Sequence, residues 1–182
     1  MKTQATPRNL RPLVDYLDRL TERASVSELD SRLRFCDVSL EDVCEYVRFG
    51  EQSYLRNLVC DGPWYHLLVL CWRSGQRSPI HNHAGSTCGF RVLKGEVIET
   101  RFETTPARII HPVATHPMLP GSVAVTQDAE IHQMSNLQAP GKDAVTLHVY
   151  SPPLFRMDTY SLTDPGVGEF RPMVLESAGS GI

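Results

Sequence analysis

The 182-residue chain contains no uninterrupted run of about 18 apolar residues, so no helix that crosses a membrane is expected from it. Its opening, MKTQATPRNLRPLVDYLDRL, lacks the continuous apolar stretch of a secretory signal. It has no CxxC pair: its five cysteines (Cys36, Cys44, Cys60, Cys71 and Cys88) are scattered and odd in number. That pattern argues against a disulfide framework and for a reducing, cytoplasmic compartment. Nor is there an excess of positive charge. The net charge is −3, with both signs interspersed, so neither nucleic acid nor an anionic membrane is expected as a partner. No internal repeat or low-complexity tract occurs. What remains is an ordinary globular composition, 41% hydrophobic and 21% charged, sufficient for one core in one domain over residues 1–182. A monomer is expected.

Residues 1–50 read as helical. In NLRPLVDYLDRLTER, Leu10, Leu13, Val14, Leu17 and Leu20 recur at spacings of three and four, with Pro12 near the start, where proline is tolerated. SLEDVCEYVRF offers Ser39 as an N-cap with Asp42 three residues on. From about residue 51 to 155 the chain breaks into short β-branched or aromatic runs punctuated by Gly, Pro, Asn and Asp, which predicts a mainly β sandwich or barrel. Lys94-Gly95, between two such runs, predicts a tight hairpin. Residues 156–182 read as a C-terminal extension whose tail, ESAGSGI, is expected to fray.

The chemistry-bearing residues begin at SPIHNHAGSTCGFRVLKG. His81 and His83 are two apart, so on a strand both rings share a face. Two readings stand at this point: an interior face where two imidazoles hold one metal, or an exposed polar edge. Five residues lie between Gly75 and His81, and six between Cys88 and Gly95. This spacing resembles the first cupin motif, with Cys88 where that motif has a glutamate. HQMSN, His132 to Asn136, is similar to the second cupin motif, although the proline and glycine usual just before its histidine lie further back, at Pro120-Gly121. The resemblance implies a small cupin β-barrel, with the N-terminal helices packed outside. It also implies a ligand set of His81, His83 and His132 with no carboxylate. Three neutral imidazoles leave a divalent metal its full charge, and imidazole suits zinc, iron, copper or nickel.

In TLHVY, Thr146, His148 and Tyr150 alternate with Val145, Leu147 and Val149, so polar and apolar trios take opposite faces. Either the polar trio faces solvent, or it lines the barrel while the helices cover the apolar trio. Buried without partners, each polar group costs about 1–3 kcal/mol, a cost that an interior site removes. Tyr54 and Arg56 share a face in YLRNL. A strand arginine is commonly a surface residue with its stem packed down, but turned inward it needs an anion, for which its planar fork suits a carboxylate.

Taken together, YLRNL, LCW, SPIHNHAGSTC, LKGEVIET and LHVYSPP resemble the cysteine dioxygenases of the cupin superfamily, over about Tyr54 to Pro153. The resemblance implies one Fe(II) per chain on His81, His83 and His132, and L-cysteine and O2 as substrates with cysteine sulfinate as product. Arg56, helped by Tyr54, matches the residues that hold the substrate carboxylate. Tyr150 matches a tyrosine over the oxygen site and His148 the histidine bonded to it. Trp72 matches an aromatic beside that region. Cys88 matches a cysteine that in eukaryotic-type members forms a thioether with the tyrosine matching Tyr150; otherwise Cys88 is an inert buried thiol. Asn82 and Thr146 depart from the family's common Asp and Ser, and both keep hydrogen-bonding groups. Met157 and Met173 either line the pocket or belong to the core. Related enzymes for 3-mercaptopropionate place a glutamine where Arg56 stands. A non-catalytic metal-binding cupin has no need of Tyr150, His148 and Arg56, and a zinc isomerase of this fold wants a carboxylate where Cys88 stands.

Overall fold

A computed structural model describes residues 6–176. The strands are β1 (Leu55–Gly62), β2 (Tyr65–Trp72), β3 (Ile80–His81), β4 (Thr87–Lys94), β5 (Val97–Thr104), β6 (Ile110–Met118), β7 (Val123–Gln127), β8 (Ile131–Ser135), β9 (Ala144–Ser151), β10 (Met157–Tyr160) and β11 (Gly168–Phe170). They form two antiparallel sheets, in the orders β1-β2-β9-β4-β7 and β11-β10-β3-β8-β5-β6. The fold is mainly β, as the short punctuated runs predict. The expected frayed tail, apart from Glu176, lies outside the described residues.

Strands β2 and β9 are buried along their whole length, because both faces are covered. On one face, Val145, Leu147 and Val149 of β9 join Leu67, Val69 and Cys71 of β2 in a core completed by the helices α1 (Arg11–Leu17) and α2 (Val26–Arg34). Each leucine buried there is worth about 1.5–3 kcal/mol. The other face meets the second sheet through Leu68, Leu70, Trp72, Phe90, Val97 and Met134. α2 starts at Ser25, whose hydroxyl accepts from the Glu28 N–H. It docks so closely on β4 that a Cβ at Gly89 would lie 2.6 Å from Leu33 and 2.9 Å from Leu29.

Three expectations need correction. The Lys94-Gly95 turn is not a hairpin: β4 belongs to the five-stranded sheet and β5 to the other, so this turn is a corner between sheets. Both flanks of β4 are already paired, with β7 and β9, which leaves β5 no place beside it. Gly95 is required there, having φ +70° and a Cβ position 2.5 Å from the Asp143 carbonyl. The N-terminal periodic segment forms only a short 3-10 turn, Arg8–Leu10, followed by α1, which ends before Leu20. SLEDVCEYVRF forms a 3-10 helix, Glu41–Tyr46, rather than an α-helix. Its box is nevertheless made, the Ser39 N–H donating to Asp42 at 2.8 Å and the Asp42 N–H to the Ser39 hydroxyl at 3.4 Å. Beyond residue 155, β10 and β11 add to the six-stranded sheet, and Leu175 pairs with the edge of β1 at Asn57.

Candidate metal centre and active-site cavity

His81 ends β3 and stands in register with His132 on β8. His83 lies just past the strand, in a loop whose backbone turns through positive φ at Ala84 and Gly85. Its ring therefore joins the others through loop geometry rather than strand alternation. The main-chain N–H of His83 is held by the Asp128 carbonyl at 3.1 Å. Asn82, between the two histidines, turns outward and donates to Asp158 at 3.1 Å and to the Tyr160 hydroxyl at 2.9 Å, tying the loop to β10. The three rings offer nitrogens within 4.8 Å of one another and are 5%, 0% and 3% exposed in chain order.

Each Nδ1 has a partner: the Pro79 carbonyl for His81 at 2.9 Å, the Thr126 hydroxyl for His83 at 3.2 Å and the Glu99 carboxylate for His132 at 2.9 Å. That leaves the Nε2 side of each ring, and Nε2 of His83 is buried with no partner. Burial, with the neighbouring histidines adding to it, pushes the pKa of His81 down to about 3 and that of His83 well below its ordinary value. Converging buried imidazole nitrogens, with His81 and His83 held neutral by burial, are what a divalent transition metal requires, so the residues fit such an ion.

Around this cluster lies a small cavity of about 10 Å³, lined by all eight expected site residues: His81, His83, His132, Tyr54, Arg56, Cys88, His148 and Tyr150. Arg56 is 4% exposed, its Nε and Nη2 buried without partners and its Cζ 4.7 Å from the centre of the Tyr150 ring. Tyr54 stacks on Trp72 at 4.2 Å. Burial raises the Tyr54 hydroxyl, against the opposing charge of Arg56. Cys88 on β4 stands directly across from Tyr150 on β9, both buried. Burial pushes the Cys88 thiol up to about 12 and raises the Tyr150 phenol well above its ordinary value.

The polar trio of β9 is interior and fully partnered. Trp72 Nε1 donates to the Thr146 hydroxyl at 2.9 Å, that hydroxyl pairs with His148 Nε2 at 2.8 Å, and His148 Nδ1 meets the Tyr150 hydroxyl at 3.3 Å. Phe90 stacks on His148 at 5.2 Å. Burial first, then the charge of Arg56, drives His148 well below its ordinary pKa, so the ring is neutral. Met157 belongs to the core and Met173 is 81% exposed, so neither lines the cavity.

Sequence reasoning missed Glu99 and Thr126, the groups behind His132 and His83. Neither carried a decisive signal: around Glu99, Val97, Glu99 and Arg101 alternate with Ile98 and Thr100, so each face holds one apolar residue beside polar ones.

The family model described as "Cysteine dioxygenase type I" matches residues 1–163. Cysteine dioxygenase type 1 of Danio rerio is 27% identical over 161 residues, 85% of this chain and 80% of that protein. The Homo sapiens protein of the same name is 29% identical over 159 residues, 81% of this chain and 76% of that one. Among solved structures, a protein from Thermus thermophilus superposes with a TM-score of 0.52 at 21% identity, covering 63% of this chain and 98% of its own. An uncharacterized conserved protein with a double-stranded beta-helix domain from Klebsiella pneumoniae gives 0.51 at 17%, covering 71% and 88%. These two structures share the fold.

Proposed function

The chain belongs to the cysteine dioxygenase type I family, and from that premise we propose that this thiol dioxygenase uses one Fe(II) to oxidise L-cysteine to cysteine sulfinate. The overall change is RSH + O2 → RSO2⁻ + H⁺. The observation that carries the reading is the coincidence, in one cavity, of three converging buried imidazoles and a buried guanidinium without a counter-charge. His81, His83 and His132 would hold iron(II), which when bound would supply a redox-active Lewis acid for thiol and dioxygen.

The chain's own residues do the rest. Arg56 receives the substrate carboxylate in two hydrogen bonds from Nε and Nη2, the two atoms that lack partners. The Tyr54 hydroxyl borders the same carboxylate position, held there by its stack on Trp72. Trp72 is a donor only, so the Thr146 hydroxyl accepts from it and has its own proton free for His148 Nε2, which runs the chain Trp72→Thr146→His148→Tyr150. With His148 Nδ1–H donating to it, the Tyr150 oxygen keeps its own proton for the cavity. Walls of Leu70, Trp72 and Met134 exclude water.

Cys88 and Tyr150, directly opposed, are proposed to join as a thioether. The thiol and a phenol ring carbon each lose one hydrogen, a two-electron oxidation with dioxygen as oxidant. Such a link fixes the Tyr150 hydroxyl.

Anaerobic iron loading, metal analysis, and then addition of cysteine and air with product detection test the proposal. Cysteine sulfinate should form with matching oxygen uptake. A faster reaction with 3-mercaptopropionate than with cysteine would overturn the substrate assignment.

A further inference from the structure

Glu99 is the one carboxylate among the buried residues described, 1% exposed, and the proposed reaction does not use it. It stands on β5 opposite Met134 of β8, which brings its side chain behind His132 rather than into the cavity. Its Oε1 lies 2.9 Å from His132 Nδ1, and its Oε2 lies 3.5 Å from Nε of Arg101, a half-exposed residue on the same strand. The other two ligand rings are treated differently. His81 meets a carbonyl and His83 a hydroxyl, both neutral. A formal negative charge thus stands behind one imidazole of the three.

A carboxylate that accepts from Nδ1–H fixes the tautomer in which Nε2 is the ligand atom and makes the ring a stronger electron donor. We infer that Glu99 is a positioning residue that acts through His132, orienting its ring and lending a ligand set of three imidazoles part of a negative charge, while Arg101 limits how much. The carboxylate missing from the ligand set is supplied one bond further out. Both metal affinity and the balance between ferric and ferrous iron then depend on the Glu99–Arg101 pair. This inference rests on the iron reading above.

The test uses the full chain loaded anaerobically with iron. Glu99→Gln keeps the size and one acceptor oxygen but removes the charge. It should weaken iron binding about 10- to 100-fold in chelator competition. It should also favour ferrous iron about tenfold, a rise in midpoint potential of about 59 mV for one electron. Arg101→Gln, at a half-exposed position, removes the opposing cation and should move the potential the other way. Weaker binding in Glu99→Gln with an unmoved potential assigns a structural role only and overturns the inference. So do identical affinity and potential. Should Glu99→Gln fail to fold, Arg101→Gln decides alone: a lowered potential supports the inference and an unchanged one overturns it. A wild-type chain that does not retain iron sinks the iron reading, and this inference with it.

Discussion

Taking a guanidinium out of water is unfavourable by several kcal/mol unless an anion meets it, and Arg56 is buried with two nitrogens unpaired. Among the described residues it meets the face of Tyr150 and the Tyr54 hydroxyl, neither of which is a counter-charge. Arg56→Ala should therefore leave the melting temperature of the substrate-free protein unchanged or higher. Steady-state kinetics should show KM for cysteine raised roughly a hundredfold, the loss of a two-point charged contact on the order of 2–4 kcal/mol, with a smaller change in kcat. An unmoved KM would take Arg56 away from the carboxylate. At this scale the sequence was most informative where a side chain's chemistry is hard to explain otherwise. Paired histidines, a strand arginine and the alternating Thr146, His148 and Tyr150 each allow an exposed reading alone, and together they point to an interior polar site. Glu99 was not singled out because a glutamate on a strand reads equally well on either face. Only the placement of β5 in the second sheet, against β8, puts it beside His132.

Elements were legible where periodicity is strict and illegible where pairing partners decide. β9 shows two complete alternating faces, and the apolar one lies under the helices as its composition predicts. The corner at Lys94-Gly95 could not be read, because a Gly-containing turn between two strands looks the same whether the second strand folds back or changes sheet. The Ser39–Asp42 box likewise marks a helical start without telling an α-helix from a 3-10 turn. The docking of α2 on β4 turns on Gly89, where a side chain would run into Leu29 and Leu33. Gly89→Val should overpack that contact and destabilise the fold by about 1–3 kcal/mol. Urea unfolding reads this directly. A variant as stable as wild type would mean that α2 moves aside at no cost.

The whole molecule couples its charge state to its stability through the buried imidazoles. His148 has a pKa held well below the ordinary value, first by burial and then by Arg56. Below about pH 6.5 the unfolded chain takes up a proton there that the folded chain refuses. The stabilising contribution is thus present above that pH and is lost as pH falls, at up to ~1.4 kcal/mol per pH unit. In metal-free protein, His148→Asn should flatten the acid limb of the stability curve by about one proton. An unaltered limb would show that His148 is protonated in the fold. A metal ion bound only by the folded state would add RT ln(1 + [L]/Kd), about 2.7 kcal/mol at a hundred times Kd. Protons compete for the same rings, but burial holds His81 down at about 3 and His83 well below its ordinary value, so these two keep their lone pairs for the ion from pH 7 to pH 5. The melting temperatures of loaded and metal-free protein should therefore differ by a nearly constant amount between about pH 7 and pH 5. Curves that converge within that window would mean that the ion is held by groups that titrate there, and that His81 and His83 are not its ligands.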